Sequence, residues 1–223
     1  MSLAIGFVLF PGVTQLDFTG PLQVLSRIPN ARCHIAAKTL DPVPTDCGLA
    51  LVPTARFSEC PPLDIICVPG GFGIVGAIGD KETLSFVRER GRAAKYVTSV
   101  CTGALVLGAA GLLRGKRATT HWAYRDLLPL AGARRSDERV CRDGNLFTGG
   151  GVTAGIDFAF TLAAEIAGRQ VAETIQLGLE YDPAPPFAKG APNLAAPQTL
   201  EHLINRYASP IEATRKAIEN AMR

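Results

Sequence analysis

The sequence predicts one α/β domain, built as a doubly wound, mostly parallel sheet with helices on both faces. Two observations predict it. Short, continuously apolar runs alternate with longer helical segments along the whole chain, and strands without polar alternation are those buried on both faces. The chain of 223 residues, 47% hydrophobic and 19% charged, is long enough to bury such a core without cross-links. It shows no repeat, no low-complexity tract and no linker that would split it. Residues 182–223 read as a loop and a C-terminal helix appended to the same domain.

The elements follow in order. Residues 3–10 form an apolar strand broken only by Gly6 and ended by Pro11 and Gly12. Residues 18–28 read as a helix with Pro21 in its first turn. A second strand covers 33–38. The proline-rich stretch 41–62 reads as hairpin and loop, with a short strand at 49–52. Residues 64–68 (DIICV) are a fully apolar strand ending in Pro69, Gly70 and Gly71. Residues 81–94 form a helix charged on one face, and 96–100 (YVTSV) another strand. Residues 102–113 are helical, 117–120 extended and 123–130 helical. Strands at 139–142 and 146–148 flank Asp143 and Gly144, a hairpin signal. Helices cover 153–166 and 171–181. Residues 182–197 are loop, and a helix begins at Gln198.

Composition excludes several functions. Lys and Arg number 23 against 20 Asp and Glu, for a net charge of +3. That excess is small and scattered, and aromatic residues make up only 7%, which argues against a nucleic-acid partner. The six cysteines contain no C-x-x-C pair and the three histidines stand apart, so no metal is expected. Free thiols in a reducing compartment are the expectation. The N-terminus lacks a basic leader, and no apolar run approaches the ~20 residues of a membrane helix. A cytoplasmic protein with no membrane partner is expected.

In doubly wound sheets, ligands bind at the carboxyl ends of the strands. Cys101 sits where strand YVTSV meets helix TGALVLGAAGLL, with no linker and with Gly103 two residues on. This is the layout of a nucleophile elbow, a strained turn that lifts a side chain above the sheet. The start of the following helix would favour a thiolate, the nucleophilic form. Cys33, Cys67 and Cys141 read as small core residues instead. Gly70 and Gly71 could offer backbone N–H groups to a developing anion beside that sulfur, with Phe72 adjoining as a substrate contact. Asp17 reads equally well as a helix N-cap or as a partly desolvated acid near the thiol. His121, beside the lone Trp122, reads as a supporting rather than a catalytic residue. Asp157 reads as a local hydrogen-bonding group.

Three stretches already described, SVCTG, the Pro-Gly-Gly turn and ATTHW, resemble the PfpI-like, glutamine-amidotransferase-like superfamily. Residues 15–21 (QLDFTGP), 98–103 (TSVCTG), 149–158 (GGGVTAGIDF) and 180–187 (EYDPAPPF) resemble its bacterial isocyanide hydratases more specifically. The resemblance runs to about residue 190. It implies a flavodoxin-like homodimer that hydrates R–N≡C to an N-substituted formamide with no cofactor. Carried onto matching positions, it implies Cys101 as nucleophile, Asp17 as general acid and base, and Thr102 as the residue orienting polar groups at the elbow. The implied intermediate is a thioimidate on Cys101. Protease-like relatives place His directly after the cysteine, where this chain has Thr102.

Other readings stay open from sequence. A non-catalytic sensor would use Cys101 as an oxidisable thiol. Another cysteine-dependent hydrolase or lyase could use the same elbow. A regulator's ligand domain would require a helix-turn-helix pair, for which the stretch after residue 190 offers one helix.

Overall fold

The structure, a computed structural model, describes residues 2–223. In chain order the elements are β1 (Leu3–Val8), α1 (Gln15–Leu25), β2 (Ala31–Ala37), β3 (Val43–Pro44), β4 (Ala50–Leu51), β5 (Ala55–Arg56) and β6 (Ile65–Val68). Then come α2 (Ile74–Gly79), α3 (Lys81–Ala93), β7 (Tyr96–Val100), α4 (Gly103–Ala109), β8 (Arg117–Ala118) and a 3₁₀ helix (Trp122–Leu127). The chain ends with β9 (Arg134–Arg135), β10 (Val140–Asp143), β11 (Leu146–Gly149), α5 (Ala154–Ala167), α6 (Arg169–Gly178) and α7 (Pro197–Ala221).

Seven strands form the central sheet in the order β10-β11-β7-β6-β1-β2-β5. Only the β10–β11 hairpin is antiparallel. The apolar runs that predicted buried strands are buried: every residue of β6, β7 and β11 lies in the interior. Helices α1, α5 and α6 pack together, as do α2, α3, α4 and α7, so a helical layer covers each face. Strands β6 and β7 are parallel neighbours, with Val68 beside Ser99. That register brings the Pro-Gly-Gly turn against the cysteine elbow.

Four helical segments around the cysteine elbow differ from the sequence reading. Helix α1 starts at Gln15, not at residue 18, so Pro21 lies in its interior. Proline has no N–H to donate, which leaves the Asp17 carbonyl without its helical partner. Helix α2 was not expected, because IVGAIG carries two glycines and no cap signal. The helix expected at 102–113 is only seven residues long. The one expected at 123–130 is a 3₁₀ turn capped by His121, whose Nδ1 accepts from the Ala123 N–H.

Candidate active site

Cys101 has φ of +56°, one of three non-glycine residues with positive φ among those described. Such a conformation costs an L-residue roughly 1–3 kcal/mol and persists only where surroundings enforce it. Here both backbone groups are clamped. The Cys101 N–H lies 2.7 Å from the Gly150 carbonyl and 3.1 Å from that of Gly149, and the Thr120 hydroxyl donates to the Cys101 carbonyl at 2.7 Å. Gly103 completes the elbow, since a Cβ there would strike the Val68 carbonyl and lie 2.7 Å from that of Pro69. The strand-to-helix turn is therefore the strained elbow expected from the sequence.

Asp17 is not an N-cap. Thr14 holds that position, and the Asp17 carboxyl points into the protein with no exposure to water. Its Oδ2 accepts from the Gly70 N–H at 2.9 Å, while Oδ1 finds no conventional partner. Burial pushes its pKa from 3.8 up to about 7, against the lowering effects of the Gly70 amide and the Cys101 thiol. Gly70 is required for this approach, because a Cβ there would sit 2.5 Å from the Thr102 nitrogen and 2.9 Å from Asp17 Oδ2.

The thiol behaves differently from the sequence expectation. Burial, and after it the Asp17 carboxylate, hold the Cys101 pKa well above its ordinary value. The dipole of a seven-residue helix and the Thr102 amide do not offset this, and no cationic side chain lines the pocket. Cys101 and Asp17 thus act as a coupled pair that resists a second negative charge. Near neutrality the pair holds its last proton tightly.

The two turn glycines are likewise placed as expected but occupied. The Gly70 amide serves Asp17, and the Gly71 N–H donates to Thr102 Oγ1 at 3.0 Å. Thr102 Oγ1 in turn lies 3.3 Å from the Gly71 carbonyl, to which it donates. These amides therefore position the acid and the threonine rather than standing free for an anion. The Thr102 N–H is the backbone donor that favours negative charge on sulfur.

Above the sulfur lies a pocket of about 140 Å³, lined by Thr14, Asp46, Gly71, Phe72, Cys101, Thr102, His121, Tyr124, Val152 and Tyr207. His121 lines it as a neutral ring, because burial, and secondarily Arg125, push its pKa down to about 4. It is neither a cation beside the thiol nor a base near neutrality. Phe72 stands at the rim, half exposed. Tyr124 and Tyr207 were missed in the sequence, where nothing local ties either to Cys101. Phe187, in the stretch 180–187 that carries the resemblance, is exposed and lines no part of this pocket. A larger groove of about 730 Å³ between α2, α3 and α7 holds no nucleophilic thiol. Among the described residues, no group of three or more His, Cys, Asp or Glu could hold a metal ion.

A doubly wound sheet bearing a cysteine at positive φ on a strand-to-helix elbow, faced by a buried acid from the first helix, defines a class of cysteine-centred α/β proteins. Comparison with known proteins narrows the class. Residues 4–165 match the model of the DJ-1/PfpI family, and the chain belongs to that family. It is 55% identical over 221 residues to an isonitrile hydratase of Pseudomonas putida, across 99% of this chain and 97% of that one. A crystal structure of a THiJ/PfpI family protein from Pseudomonas syringae matches with a TM-score of 0.96 at 44% identity, covering 98% of this chain and 91% of that one. Drosophila melanogaster DJ-1beta, at 23% identity, shares the fold alone: its TM-score is 0.71, over 81% of this chain and 98% of that one.

Proposed function

We propose that the protein hydrates isocyanides to N-substituted formamides, with Cys101 as nucleophile and Asp17 as the group that moves protons. The observation that carries this reading is the coupled Cys101–Asp17 pair at the floor of a pocket lined by no cationic side chain. The full-length likeness to an isonitrile hydratase supports the substrate class.

The chemistry follows from the one proton the pair shares. Sulfur adds to the terminal carbon of R–N≡C, and the proton of the pair passes from Asp17 to that same carbon. A C–S and a C–H bond form, giving a thioimidate, S–CH=N–R. Asp17 is then a carboxylate with an elevated pKa, suited to take a proton from water. Hydroxide adds to the thioimidate carbon. Proton transfer to nitrogen and loss of sulfur release the formamide, and Asp17 and Cys101 again share one proton. Thr102 supports both steps: its hydroxyl locks the Gly71 turn and its amide favours charge on sulfur. His121 holds the pocket wall through its cap and ring contacts.

The chain acts in this reading as one domain, as a homodimer and in the cytoplasm, with no organic cofactor. The test is hydration of a simple alkyl or aryl isocyanide, followed by ultraviolet absorbance, with intact mass of trapped adducts. Wild type turns the isocyanide over and shows a Cys101 adduct equal to the isocyanide mass. Cys101→Ala does neither. Turnover by Cys101→Ala near the wild-type rate refutes the mechanism.

A further inference from the structure

We propose that Tyr207, delivered by α7, is the specificity-determining residue that sets the size of the group accepted beside Cys101. As applied to isocyanides this rests on the reading above. Tyr207 lies outside the part of the chain that matches the family model, which ends at residue 165. Helix α7 packs on α2, α4 and the 3₁₀ helix, anchored by buried Thr214 and Ile218. It places the Tyr207 ring over the pocket: 5.3 Å from the His121 ring, 6.1 Å from Tyr124 and 6.3 Å from Phe72, centroid to centroid. The contacts with His121 and Tyr124 are edge-on, and that with Phe72 is stacked. Both are favourable aromatic geometries that hold a ring in place. The fold shared with smaller relatives thus supplies the nucleophile, and the appended helix supplies one wall of the space above it.

That wall defines a substrate class. The remaining volume, about 140 Å³, is bounded by rings and by Val152, and its carboxylates, Asp46 and buried Asp17 behind it, repel anions. A compact, uncharged, apolar or aromatic R group fits. A bulky or acidic one does not.

The experiment compares wild type, Tyr207→Ala, Tyr207→Leu and Tyr207→Phe. Isopropyl, cyclohexyl and 1-adamantyl isocyanides form the size series, read as kcat and KM separately. In parallel, alkylation of the Cys101 peptide by iodoacetamide and by N-(1-naphthyl)iodoacetamide is followed by mass. Tyr207→Ala should raise the adamantyl-to-isopropyl ratio of kcat/KM by roughly tenfold or more, chiefly through KM. It should raise the naphthyl-to-small alkylation ratio in step. Tyr207→Leu, which retains apolar contacts should the alanine variant fold poorly, shifts both ratios the same way by less. Tyr207→Phe restores the wild-type ratios. Unchanged alkylation ratios in the folded variants overturn the proposal. So does an unchanged isocyanide series in an enzyme that turns isocyanides over. If wild type hydrates no isocyanide while the alkylation ratio still shifts, the hydratase reading falls and the size limit set by Tyr207 stands.

Discussion

Replacing Asp17 with asparagine should leave the protein more stable and the site inert. The carboxyl is wholly buried, and its pKa stands at about 7 in the fold against 3.8 for an ordinary aspartate. The sign follows from that order. Below pH 3.8 the group is protonated in both the folded and unfolded states and costs nothing. Between 3.8 and about 7 the unfolded chain ionises while the folded one keeps its proton, so stability is lost as pH rises. Above 7 the loss is complete. At about 1.4 kcal/mol per pH unit, the gap amounts to about 4 kcal/mol at pH 8 and about 2 kcal/mol at pH 5.

Asparagine keeps an oxygen for the Gly70 N–H and cannot ionise, so it removes the pH-dependent cost and retains the hydrogen bond that positions the turn. Its amide does face sulfur without an ideal partner, which offsets about half of the gain. Urea unfolding at pH 5 and pH 8, at one protein concentration, reads the difference. The variant should gain on wild type by about 2 to 3 kcal/mol between those two pH values. A wild-type-minus-variant difference that does not change with pH would show that Asp17 is not a buried acid with a raised pKa.

Three further outcomes follow from the same geometry. The wild-type kcat/KM should rise with pH through a midpoint near 7, because below it the pair takes up a second proton and sulfur loses its acceptor; the midpoint should stay in place in His121→Asn, whose parent imidazole is already neutral there. Cys101→Gly should be more stable to urea than Cys101→Ala by about 1 kcal/mol, since only glycine adopts φ of +56° without strain. Gly103→Ala should lower stability by about 3 kcal/mol or more, because its methyl must displace the Val68 and Pro69 carbonyls, which are main chain.

The parts that could be read from the chain were those written locally. YVTSV followed at once by TGALVLG announces a strand meeting a helix with Cys101 between them, and the φ of +56° is the consequence. DIICV reads as a central strand because its apolar run is unbroken after Asp64, and Ile65–Val68 are buried in the sheet. Asp17 could be singled out, but its choice between cap and acid depended on where α1 begins, and Gln15 and Leu16 carry no signal that separates the two. The protonation of Cys101 could not be read either. A helix start beside a cysteine suggests a thiolate, yet the sign is set by how deeply the neighbouring acid is buried and by the absence of a cation, both properties of distant elements. Tyr207 was beyond reach for the same reason: α7 meets the elbow only in the folded protein.

The two anomalies of the site have one explanation. A cysteine at positive φ and a carboxyl with a pKa near 7 each lower the stability of the fold, and the packing around them holds both in place. The two share their supports. Gly70 can approach Asp17 only because it lacks a Cβ that would strike Thr102, and Thr102 is positioned by the same turn that strains Cys101. A resting thiolate would need a cation or a water-filled pocket, and either would leave the pair without the proton that must reach carbon. A pocket without cationic side chains instead keeps one proton between Asp17 and Cys101. An isocyanide needs that proton on the very carbon to which sulfur adds. The site is thus arranged to form a C–H and a C–S bond at one atom, for which a preformed thiolate beside a cation would supply only half of what is required.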